Sequence, residues 1–308
     1  MENFILNVKD EIISSFKQIP SKYFDLYENF TEPLGKGVRT RFAFWLSRAL
    51  GADLKYAVKI ASAAEIVHMA SLLHDDCVDS ALTRRGNASI NFKYGINRAI
   101  LVGDLVVSIA FKKAKSVSCD LALSLVDCVE NMSKGALLEE NIKFKVITES
   151  DYSEVVDLKT SSLFRWISFS IGAVSGFNDF IMLDKISKNF GLSFQIIDDI
   201  IDIEGDENLI GKDSFKDLIE GKINYPVLLG LKDDYVKTRT IGFFEDKKDI
   251  VPVYEIRKHL VENKYTDLAR EKALNLVLDL KDDILKFKNK DKAIDFFNFI
   301  YSMCERKK

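Results

Sequence analysis

The chain has 308 residues, and 47% of them are hydrophobic, which is enough for a large buried core. Its 44 basic and 47 acidic residues leave a net charge of -3, which argues against a nucleic-acid binder because such proteins carry a clear basic excess. Four cysteines without paired spacing and three histidines form no disulfide or zinc framework. Charges interrupt the apolar stretches, including the N-terminus, so we expect a soluble cytoplasmic protein without a membrane span or signal peptide.

Proline and glycine divide the chain into predicted helices. The long interval between Pro33 and Pro226 contains no proline and carries apolar residues at three- and four-residue spacing, which is typical of successive helices. Strand signals are almost absent. We therefore predict a single all-α domain over residues 1–308 with about ten helices. The predicted breaks lie at residues 34–37, 84–89, 93–98, 175–179 and 204–214.

One predicted helix carries an apolar stripe that ends in carboxylates. The stretch SLLHDDCVDS places Asp75, Asp76 and Asp79 within it. Positions i and i+4 of a helix lie on one face, so Asp75 and Asp79 point the same way with Asp76 beside them. His68 and Ser71 share that face. The stripe leading to it contains Val58, Ala61, Ala64 or Glu65, His68 and Leu72.

The stretch FQIIDDIIDIEG repeats the same spacing with Asp198, Asp199 and Asp202, preceded by Gln195. Carboxylates at this spacing repel one another and lose hydration on burial, so each cluster costs stability unless a cation is bound. Oxygen ligands without histidine or thiolate favour Mg²⁺, which bridges carboxylates, waters and a substrate phosphate. A solvated helix face is the simpler interpretation of one such cluster. Two clusters of identical spacing among Leu, Ile and Val favour metal binding.

A site for metal and diphosphate also needs fixed positive charge, and basic residues flank both clusters. Arginine suits bidentate contact with phosphate, and lysine acts as a point charge. Each of these side chains taken singly is more simply a solvated surface residue, and its position beside the clusters is what makes it a candidate. The candidates are Lys36, Arg39, Arg41, Arg84, Arg85, Lys159, Lys212 and Lys222.

The order and separation of these motifs resemble the trans-type polyprenyl diphosphate synthase family. The resemblance covers Lys36 to about Pro226 and rests on HMASLLHDDCVDSALTRRG, GD at 103–104, KTSSLF at 159–164, GLSFQIIDDIID and GKDSFKDLIEGK. It implies an all-α prenyl synthase fold in which the two aspartate-rich helices face each other across a central cavity. It also implies a homodimer with one active site per chain, and we expect a transient membrane contact during product release.

The resemblance also implies a role for each candidate residue. About two or three Mg²⁺ ions, or Mn²⁺ as a substitute, would be arranged around an allylic diphosphate by Asp75, Asp76, Asp79, Asp198, Asp199 and Asp202. That diphosphate would be held by Arg84, Lys159, Lys212 and Lys222. The second substrate, isopentenyl diphosphate, would be bound by Lys36, Arg39, His68 and Arg85. The reacting carbons would be faced by Thr160 and Gln195, which would stabilise the developing cation.

The residue types suit this chemistry. Metal ions and basic side chains stabilise the diphosphate as its C–O bond breaks, and the isopentenyl double bond then attacks the allylic cation. No dedicated general base is visible in the sequence, and in the family the released diphosphate takes the proton. The chain departs from the family's usual residues at Gly37 (often arginine), Thr40 and Ala88 (often proline), Phe215 (often glycine) and Asn224-Tyr225 (often Thr-Leu). None of these changes removes a predicted metal ligand.

The length of the product should depend on the residues below the first cluster, where the growing tail must pass. Ser71 lies one turn before Asp75, about 6 Å away along the helix, and Ala70 is next to it. Family members with short products usually carry an aromatic residue here or an insertion in the motif, and this chain has neither. We therefore expect a long product of about C35 to C45, suited to quinone side chains. The alternative is that Ala70 and Ser71 serve helix packing and that a deeper residue limits the tail.

Other functions remain open at this stage. A shorter-chain geranylgeranyl or farnesyl diphosphate synthase would share all the motifs. A terpene cyclase would share the fold and the first cluster, but DDIID and GKGVR speak against it. A non-catalytic subunit of a heteromeric synthase tends to lose aspartates or basic groups, and all are present here. A purely structural helical protein has no reason to keep both clusters with their cations.

Overall fold

The computed structural model describes residues 1–205, 215–247 and 249–306, and helices dominate these ranges. The first part of the chain forms α1 (Glu2–Lys17), α2 (Leu26–Asn29), α3 (Val38–Leu50), α4 (Leu54–Val78), α5 (Ile90–Tyr94), α6 (Ile96–Lys115), α7 (Cys119–Ile142), α8 (Glu149–Val156), α9 (Ser162–Ser175) and α10 (Phe180–Glu204). Further helices span Lys216–Ile219, Tyr225–Gly230, Asp234–Asp246, Val251–Glu262, Tyr265–Leu278, Lys281–Ile284 and Lys290–Ser302. The all-α prediction is confirmed. The described helices outnumber the ten or so expected, because several are a single turn.

Strand structure in the described residues is limited to one short hairpin. Its strands, Thr83–Arg84 and Asn87–Ala88, pair in antiparallel register. The two connecting residues, Arg85 and Gly86, both have positive φ, at 52° and 76°. Positive φ at both central positions is the requirement of a tight two-residue hairpin turn. The predicted break at residues 84–89 is thus a hairpin, with Arg84 in its first strand and Arg85 in its turn.

One compact unit comprises Met1–Val129, Trp166–Leu183 and Phe287–Phe296. Its central helix, α4, packs against α6, α3 and α1. Five alanines among the buried residues of α4 leave room for this close packing: Ala57, Ala61, Ala63, Ala64 and Ala70. By length and composition α4 is the single described helix that could cross a membrane, but 72% of its apolar window is buried inside the structure. It is therefore the core helix of this unit.

Two of the predicted motifs meet where α4 approaches α6. A Cβ atom added at Gly103 on α6 would lie 2.2 Å from Nε2 of His74, so no larger residue fits there without displacing that ring. The His74 ring also lies 3.5 Å from the carboxylate of Asp104. The Gly-Asp pair of the sequence resemblance is thus a packing requirement next to the first aspartates.

A second compact unit comprises Glu130–Arg165, Asp184–Lys286 and Phe297–Lys308. Its core includes the ring of Phe164, which packs edge-on against Phe190 at a centroid distance of 4.9 Å. A π-helical turn, Asp157–Ser161, separates α8 from α9. Such turns occur often at functional sites, and this one carries Lys159 and Thr160. The single domain expected over residues 1–308 stays a prediction.

Two glycines fix the position of the π-helical turn. A Cβ added at Gly135 would lie 2.6 Å from the backbone nitrogen of Lys159, and one added at Gly191 would lie 2.9 Å from the Cα of Ser161. Backbone atoms cannot move aside as the end of a flexible side chain can. Both glycines therefore allow neighbouring helices to approach the turn that presents Lys159 and Thr160.

Replacing Gly135 by alanine should therefore destabilise the protein. We expect the Gly135→Ala variant to lose about 1–3 kcal/mol of unfolding free energy, the usual cost of overpacking a filled site. Gly242, in an exposed helix position with nothing within 4 Å of an added Cβ, is the matched control. Its alanine variant should gain about 0.5–1 kcal/mol from helix propensity. Urea unfolding of both variants measures the difference, and equal stabilities would contradict the packing argument.

Candidate active site

The first aspartate cluster lies at the C-terminal end of α4. Asp76 is 3% exposed, whereas Asp75 and Asp79 are half-buried. Asp79 ends the helix, and its backbone N–H donates to the carbonyl of Asp75 at 2.8 Å. The C-terminal end of a helix carries partial negative charge, which disfavours carboxylates. The position of these aspartates at a helix end, their close spacing and the burial of Asp76 all disfavour negative charge, so a cation would stabilise the cluster.

Arg84 supplies one such cation. Its Nε donates to Oδ1 of Asp76 at 2.8 Å, and its Nη2 donates to the same oxygen. The strand pairing of Arg84 with Asn87 holds it in the hairpin, and the side chain remains partly exposed. A predicted diphosphate-binding residue is thus placed at the first aspartate cluster.

The residues predicted to bind isopentenyl diphosphate gather beside the same helix. A Cβ at Gly35 would lie 2.4 Å from the guanidinium carbon of Arg85, so this guanidinium rests on the glycine. The exposed Lys36 follows Gly35 in the chain. Burial first, and then the charges of Arg39, Arg85 and Arg84, hold the pKa of His68 well below its usual range. His68 is therefore a neutral imidazole among arginines.

Glu65 is a buried carboxylate of this region to which the sequence patterns assigned no role. It lies on α4 and is 2% exposed. Its Oε1 accepts hydrogen bonds from the backbone N–H of Thr40 at 2.9 Å and from the Thr40 hydroxyl at 2.7 Å. Burial raises the pKa of Glu65, and the charge of Arg39 opposes that rise. The signal available in the sequence was an acidic residue three positions before His68 in an otherwise apolar stripe.

Ala70 and Ser71 lie on α4 as expected from the helical spacing. Ala70 is buried, and Ser71 is half-buried. The Ser71 hydroxyl donates to the carbonyl of His68 at 2.9 Å, so it is turned back onto its own helix. Both side chains are small, and their role in product length stays a prediction.

The second aspartate cluster lies in the last turns of α10, so it meets the same unfavourable helix end. Asp199 is 2% exposed, and its carboxylate accepts three hydrogen bonds. The donors are the Tyr152 hydroxyl at 2.6 Å, the Tyr225 backbone N–H at 2.8 Å and the Gln195 amide at 2.9 Å. Burial raises the pKa of Asp199 to about 7, although these donors lower it. Asp199 is therefore built into the protein interior.

Asp198 and Asp202 have different surroundings. Asp198 accepts a hydrogen bond from Nη2 of Arg306 at 2.6 Å, and this guanidinium also lies over the ring of Phe194. Oδ1 of Asp202 accepts from the backbone N–H of Lys216 at 3.1 Å. Within residues 1–205, 215–247 and 249–306, no hydrogen-bond donor reaches the buried Oδ2 of Asp202. The C-terminal Arg306 was missed in the sequence because nothing local links it to α10.

Lys159 and Thr160 emerge from the π-helical turn in the same unit as the second cluster. Nζ of Lys159 donates to Glu139 on α7 at 2.7 Å. The Thr160 hydroxyl donates to the Gln195 carbonyl oxygen at 3.1 Å, and the Gln195 amide in turn donates to Asp199. One hydrogen-bonded chain thus connects two residues predicted to face the reacting carbons with a predicted metal-site aspartate.

A cavity of about 190 Å³ lies beside this chain of hydrogen bonds. Lys222 lines it and pairs with Glu220 at 2.7 Å. Asp217 also lines it, and burial together with Asp202 and Asp199 raises the Asp217 pKa well above its usual value. Asp217 is a further acidic group that the sequence patterns did not single out. Lys212, predicted to contact the diphosphate, lies outside the described residues.

The donor set fits Mg²⁺. All candidate ligands are carboxylate oxygens, and the buried Oδ2 of Asp202 has no described donor. In the part of the chain that the structure describes, no three His, Cys, Asp or Glu side chains converge closely enough to hold an ion by themselves. Mg²⁺ usually binds proteins through one or two carboxylates, with waters and substrate phosphates completing its shell. Carboxylate oxygens, as in the two clusters, are ligands of the type that this mode uses.

Comparisons with known proteins agree with this fold and these motifs. The chain superimposes on a heptaprenyl diphosphate synthase structure from Staphylococcus aureus with a TM-score of 0.91, at 23% identity over 100% of this chain and 98% of that one. It is 31% identical to a geranylgeranyl diphosphate synthase of Saccharolobus solfataricus, over 96% of this chain and 93% of that protein. It is 34% identical to an octaprenyl diphosphate synthase of Escherichia coli, over 63% of this chain and 61% of that protein.

The fold therefore places the chain in the all-α prenyl synthase class. The family model described as Polyprenyl synthetase matches residues 20–256, which is more than half of the chain. The chain belongs to the polyprenyl synthetase family, as the sequence motifs predict, and it is a prenyltransferase.

His68 should make the stability of the protein depend on pH. Because its folded-state pKa lies below the unfolded value of about 6.5, the unfolded chain binds the extra proton, and stability falls as pH decreases through that value. From about pH 7.5 to about pH 5.5 the loss should reach about 1.4 kcal/mol relative to a His68→Gln variant. The facing groups Glu65, Arg39, Arg84 and Arg85 are common to both proteins. Parallel unfolding free energies across this range would contradict a neutral His68.

Proposed function

We propose that this chain is a trans-polyprenyl diphosphate synthase that adds isopentenyl diphosphate head to tail onto an allylic diphosphate, farnesyl or geranylgeranyl, and releases a long all-trans product. The observation that carries the proposal is the pair of aspartate clusters at helix C-termini, where position and burial disfavour the carboxylates without a cation. Such sites are suited to a metal-bound diphosphate, because the metal ions would pair with the carboxylates and the phosphates with the neighbouring basic side chains.

Mg²⁺ bound at the clusters would neutralise the leaving diphosphate and lower the barrier to ionisation. Asp75, Asp79 and Asp198 are partly exposed and are the proposed direct ligands. Asp76 and Asp199 are buried and already accept hydrogen bonds, so we propose that they orient the neighbouring aspartates rather than bind the metal directly. Asp202 is also partly exposed, and its buried Oδ2, which has no donor among the described residues, would be available to hold the metal.

The chain's own cations would complete the diphosphate sites. Arg84 and Lys159 have carboxylate partners in the structure and would exchange part of that pairing for the allylic diphosphate. Lys36, Arg39 and Arg85 would bind isopentenyl diphosphate, and the neutral His68 would donate or accept a hydrogen bond there without adding charge.

Thr160 and Gln195 would stabilise the allylic cation. The Gln195 carbonyl oxygen accepts from Thr160, and its amide donates to Asp199, so the amide orientation is fixed from both sides. A fixed carbonyl or hydroxyl dipole stabilises developing positive charge without reorganising during the reaction. The released diphosphate would take the proton lost from the isopentenyl carbon.

The proposed product is about C35 to C45 long, because Ala70 and Ser71 leave no bulky side chain one turn below Asp75. The named relatives include octaprenyl, heptaprenyl and geranylgeranyl synthases, so both long and short products occur among proteins similar to this chain. A geranylgeranyl-length product is the second candidate, favoured by the full-length match to the Saccharolobus solfataricus enzyme.

We propose that the protein acts as a cytoplasmic homodimer and touches a membrane transiently when product leaves. Large apolar side chains are exposed on α5, α6 and α7, including Phe92, Ile96, Leu101, Leu123 and Val126. These side chains are the candidates for an interaction face, because large exposed apolar patches mark such faces. Light scattering on the purified protein measures the assembly, and a monomer mass would contradict the dimer.

A single assay tests the proposed activity. Purified protein is incubated with Mg²⁺, farnesyl diphosphate and labelled isopentenyl diphosphate, and products are sized by mass spectrometry. Long polyprenyl diphosphates made by this chain alone support the proposal. Product that forms after a second chain is added would indicate a subunit of a heteromeric synthase. Cyclised terpene without consumption of isopentenyl diphosphate would indicate a cyclase.

Removing a cluster carboxylate should abolish turnover without unfolding the protein. Asp75→Ala and Asp198→Ala should each reduce turnover at least about a hundredfold, because charge stabilisation of the leaving group is lost. Asp75→Ala should leave the metal-free protein folded, since it relieves repulsion at a helix C-terminus. Asp198→Ala also removes the ion pair with Arg306, so some loss of stability is expected there without unfolding. Asp10→Ala, at an exposed position of α1, is the control. Near-normal rates in excess Mg²⁺, with unchanged Mg²⁺ affinity by calorimetry, would contradict the metal site.

A large side chain below the first cluster should shorten the product. Ala70→Tyr should reduce the product by several isoprene units, because the phenol ring would fill the space one turn below Asp75. Ser71→Tyr offers a second test at a half-buried position where packing is less constrained. Ala70→Ser keeps the site small and should preserve the product length. Unchanged chain lengths in both tyrosine variants would mean that a deeper residue limits the tail.

A further inference from the structure

The first turn of α3 lacks a capping side chain of its own. Its N-cap residue is Gly37, which has a φ of 59° and no side chain to accept from the free backbone N–H groups. At most helix starts the N-cap side chain accepts from the third residue of the helix. Here that residue is Thr40, and its N–H donates to Glu65 on α4, 25 positions further along the chain. Glu65 therefore occupies the place of the missing cap.

The hydroxyl of Thr40 doubles this connection. It donates to the same Glu65 oxygen at 2.7 Å, so two buried donors converge on one carboxylate oxygen. The family that the sequence resembles often has proline at the position of Thr40. A proline there has no N–H and no hydroxyl, so it would need no acceptor. Thr40 therefore adds two buried donors at a helix start where Gly37 offers no acceptor side chain, and the carboxylate of Glu65 accepts from both donors.

This capped turn adjoins the predicted isopentenyl diphosphate site. Residues 34–37, here called the glycine loop, lead directly into α3 and carry Lys36 between two glycines of positive φ. Glycines in this conformation give the loop little stiffness of its own. The guanidinium of Arg85 rests on Gly35 in the same loop. The orientation of Lys36 and Arg39 therefore depends on how firmly the first turn of α3 is held.

We propose that Glu65 is a positioning residue that caps α3 through Thr40 and so holds the glycine loop, with Lys36 and Arg39, in the geometry that binds isopentenyl diphosphate. This inference rests on the proposed function of the site. Glu65 does not touch the substrate in this role. It acts on binding through the backbone of α3, and the charge of Arg39 makes the buried carboxylate easier to retain.

The test separates the hydrogen-bond acceptor from the volume and the charge of Glu65. Glu65→Met keeps the volume and removes the acceptor, whereas Glu65→Gln keeps an oxygen acceptor and removes the charge. Glu65→Met should raise the KM for isopentenyl diphosphate about tenfold, with kcat and the KM for the allylic substrate changed less than about threefold. Glu65→Gln should stay near the unsubstituted protein. Amide exchange in residues 38–42 should become faster in Glu65→Met alone.

Thr40 provides an independent pair of variants if Glu65→Met does not fold. Thr40→Val removes the hydroxyl donor at nearly constant volume and should raise the same KM about threefold, while Thr40→Ser keeps the donor and should not. Ser62→Ala is the matched control, because Ser62 is buried on α4 one turn earlier and its hydroxyl contacts the carbonyls of Val58 and Val8 rather than α3. It should leave both KM values unchanged.

Equal behaviour of the Met and Gln variants, or equal changes in KM for both substrates, would overturn the positioning role. Unchanged KM in Thr40→Val with unchanged amide exchange would overturn it as well. Absence of turnover in the unsubstituted protein contradicts the proposed function instead. In that case the exchange measurement on residues 38–42 still decides whether Glu65 holds this turn.

Discussion

The constraint on which the site depends is the placement of carboxylates at the C-terminal ends of two core helices. The first cluster ends α4 and the second lies in the last turns of α10, so both face the negative end of a helix dipole. Burial adds to this cost and is the main reason why the pKa of Asp199 rises to about 7. The protein offsets part of the cost internally, with Arg84 at Asp76 and Arg306 at Asp198. A metal ion bound at either cluster would compete with the arginine there for the carboxylates.

The same logic explains why each cluster mixes exposed and buried aspartates. A carboxylate that already accepts three hydrogen bonds, as Asp199 does, has few lone pairs left for a metal, but it is held rigidly. Its neighbour Asp198 is partly exposed, and it lies on the same helix, α10, which the hydrogen bonds of Asp199 hold in place. Preorganisation of this kind is achieved by supporting groups rather than by the ligands themselves. The π-helical turn does the same for Lys159 and Thr160, and Gly135 and Gly191 allow that turn to pack closely.

Local patterns predicted the all-α class, the helix faces of the aspartates and the breaks at the glycine loop and hairpin, because each of these depends on residues within a few positions of one another. Contacts over long separations were not predictable in this way. Tyr152 reaches Asp199 across 47 positions, and Arg306 reaches Asp198 across 108. Glycine also has two different structural roles in this chain. Gly86 lies in a tight turn, whereas Gly103 lies inside a helix, where it makes room for His74. Spacing alone does not distinguish those uses.

The two unusual residues at the start of α3 show how a departure from a family pattern becomes interpretable with a structure. In the sequence, Gly37 and Thr40 stand where the family that the chain resembles often has arginine and proline. In the structure, Gly37 provides no N-cap side chain, and Thr40 carries two donors, its backbone N–H and its hydroxyl. Both donate to the buried carboxylate of Glu65. Under the proposed function, affinity for isopentenyl diphosphate would therefore depend on Glu65 of α4 as well as on Lys36 and Arg39. The helix that ends in the first aspartate cluster also holds the first turn of α3 through Glu65, so the proposed metal site and the proposed isopentenyl site would share one core helix.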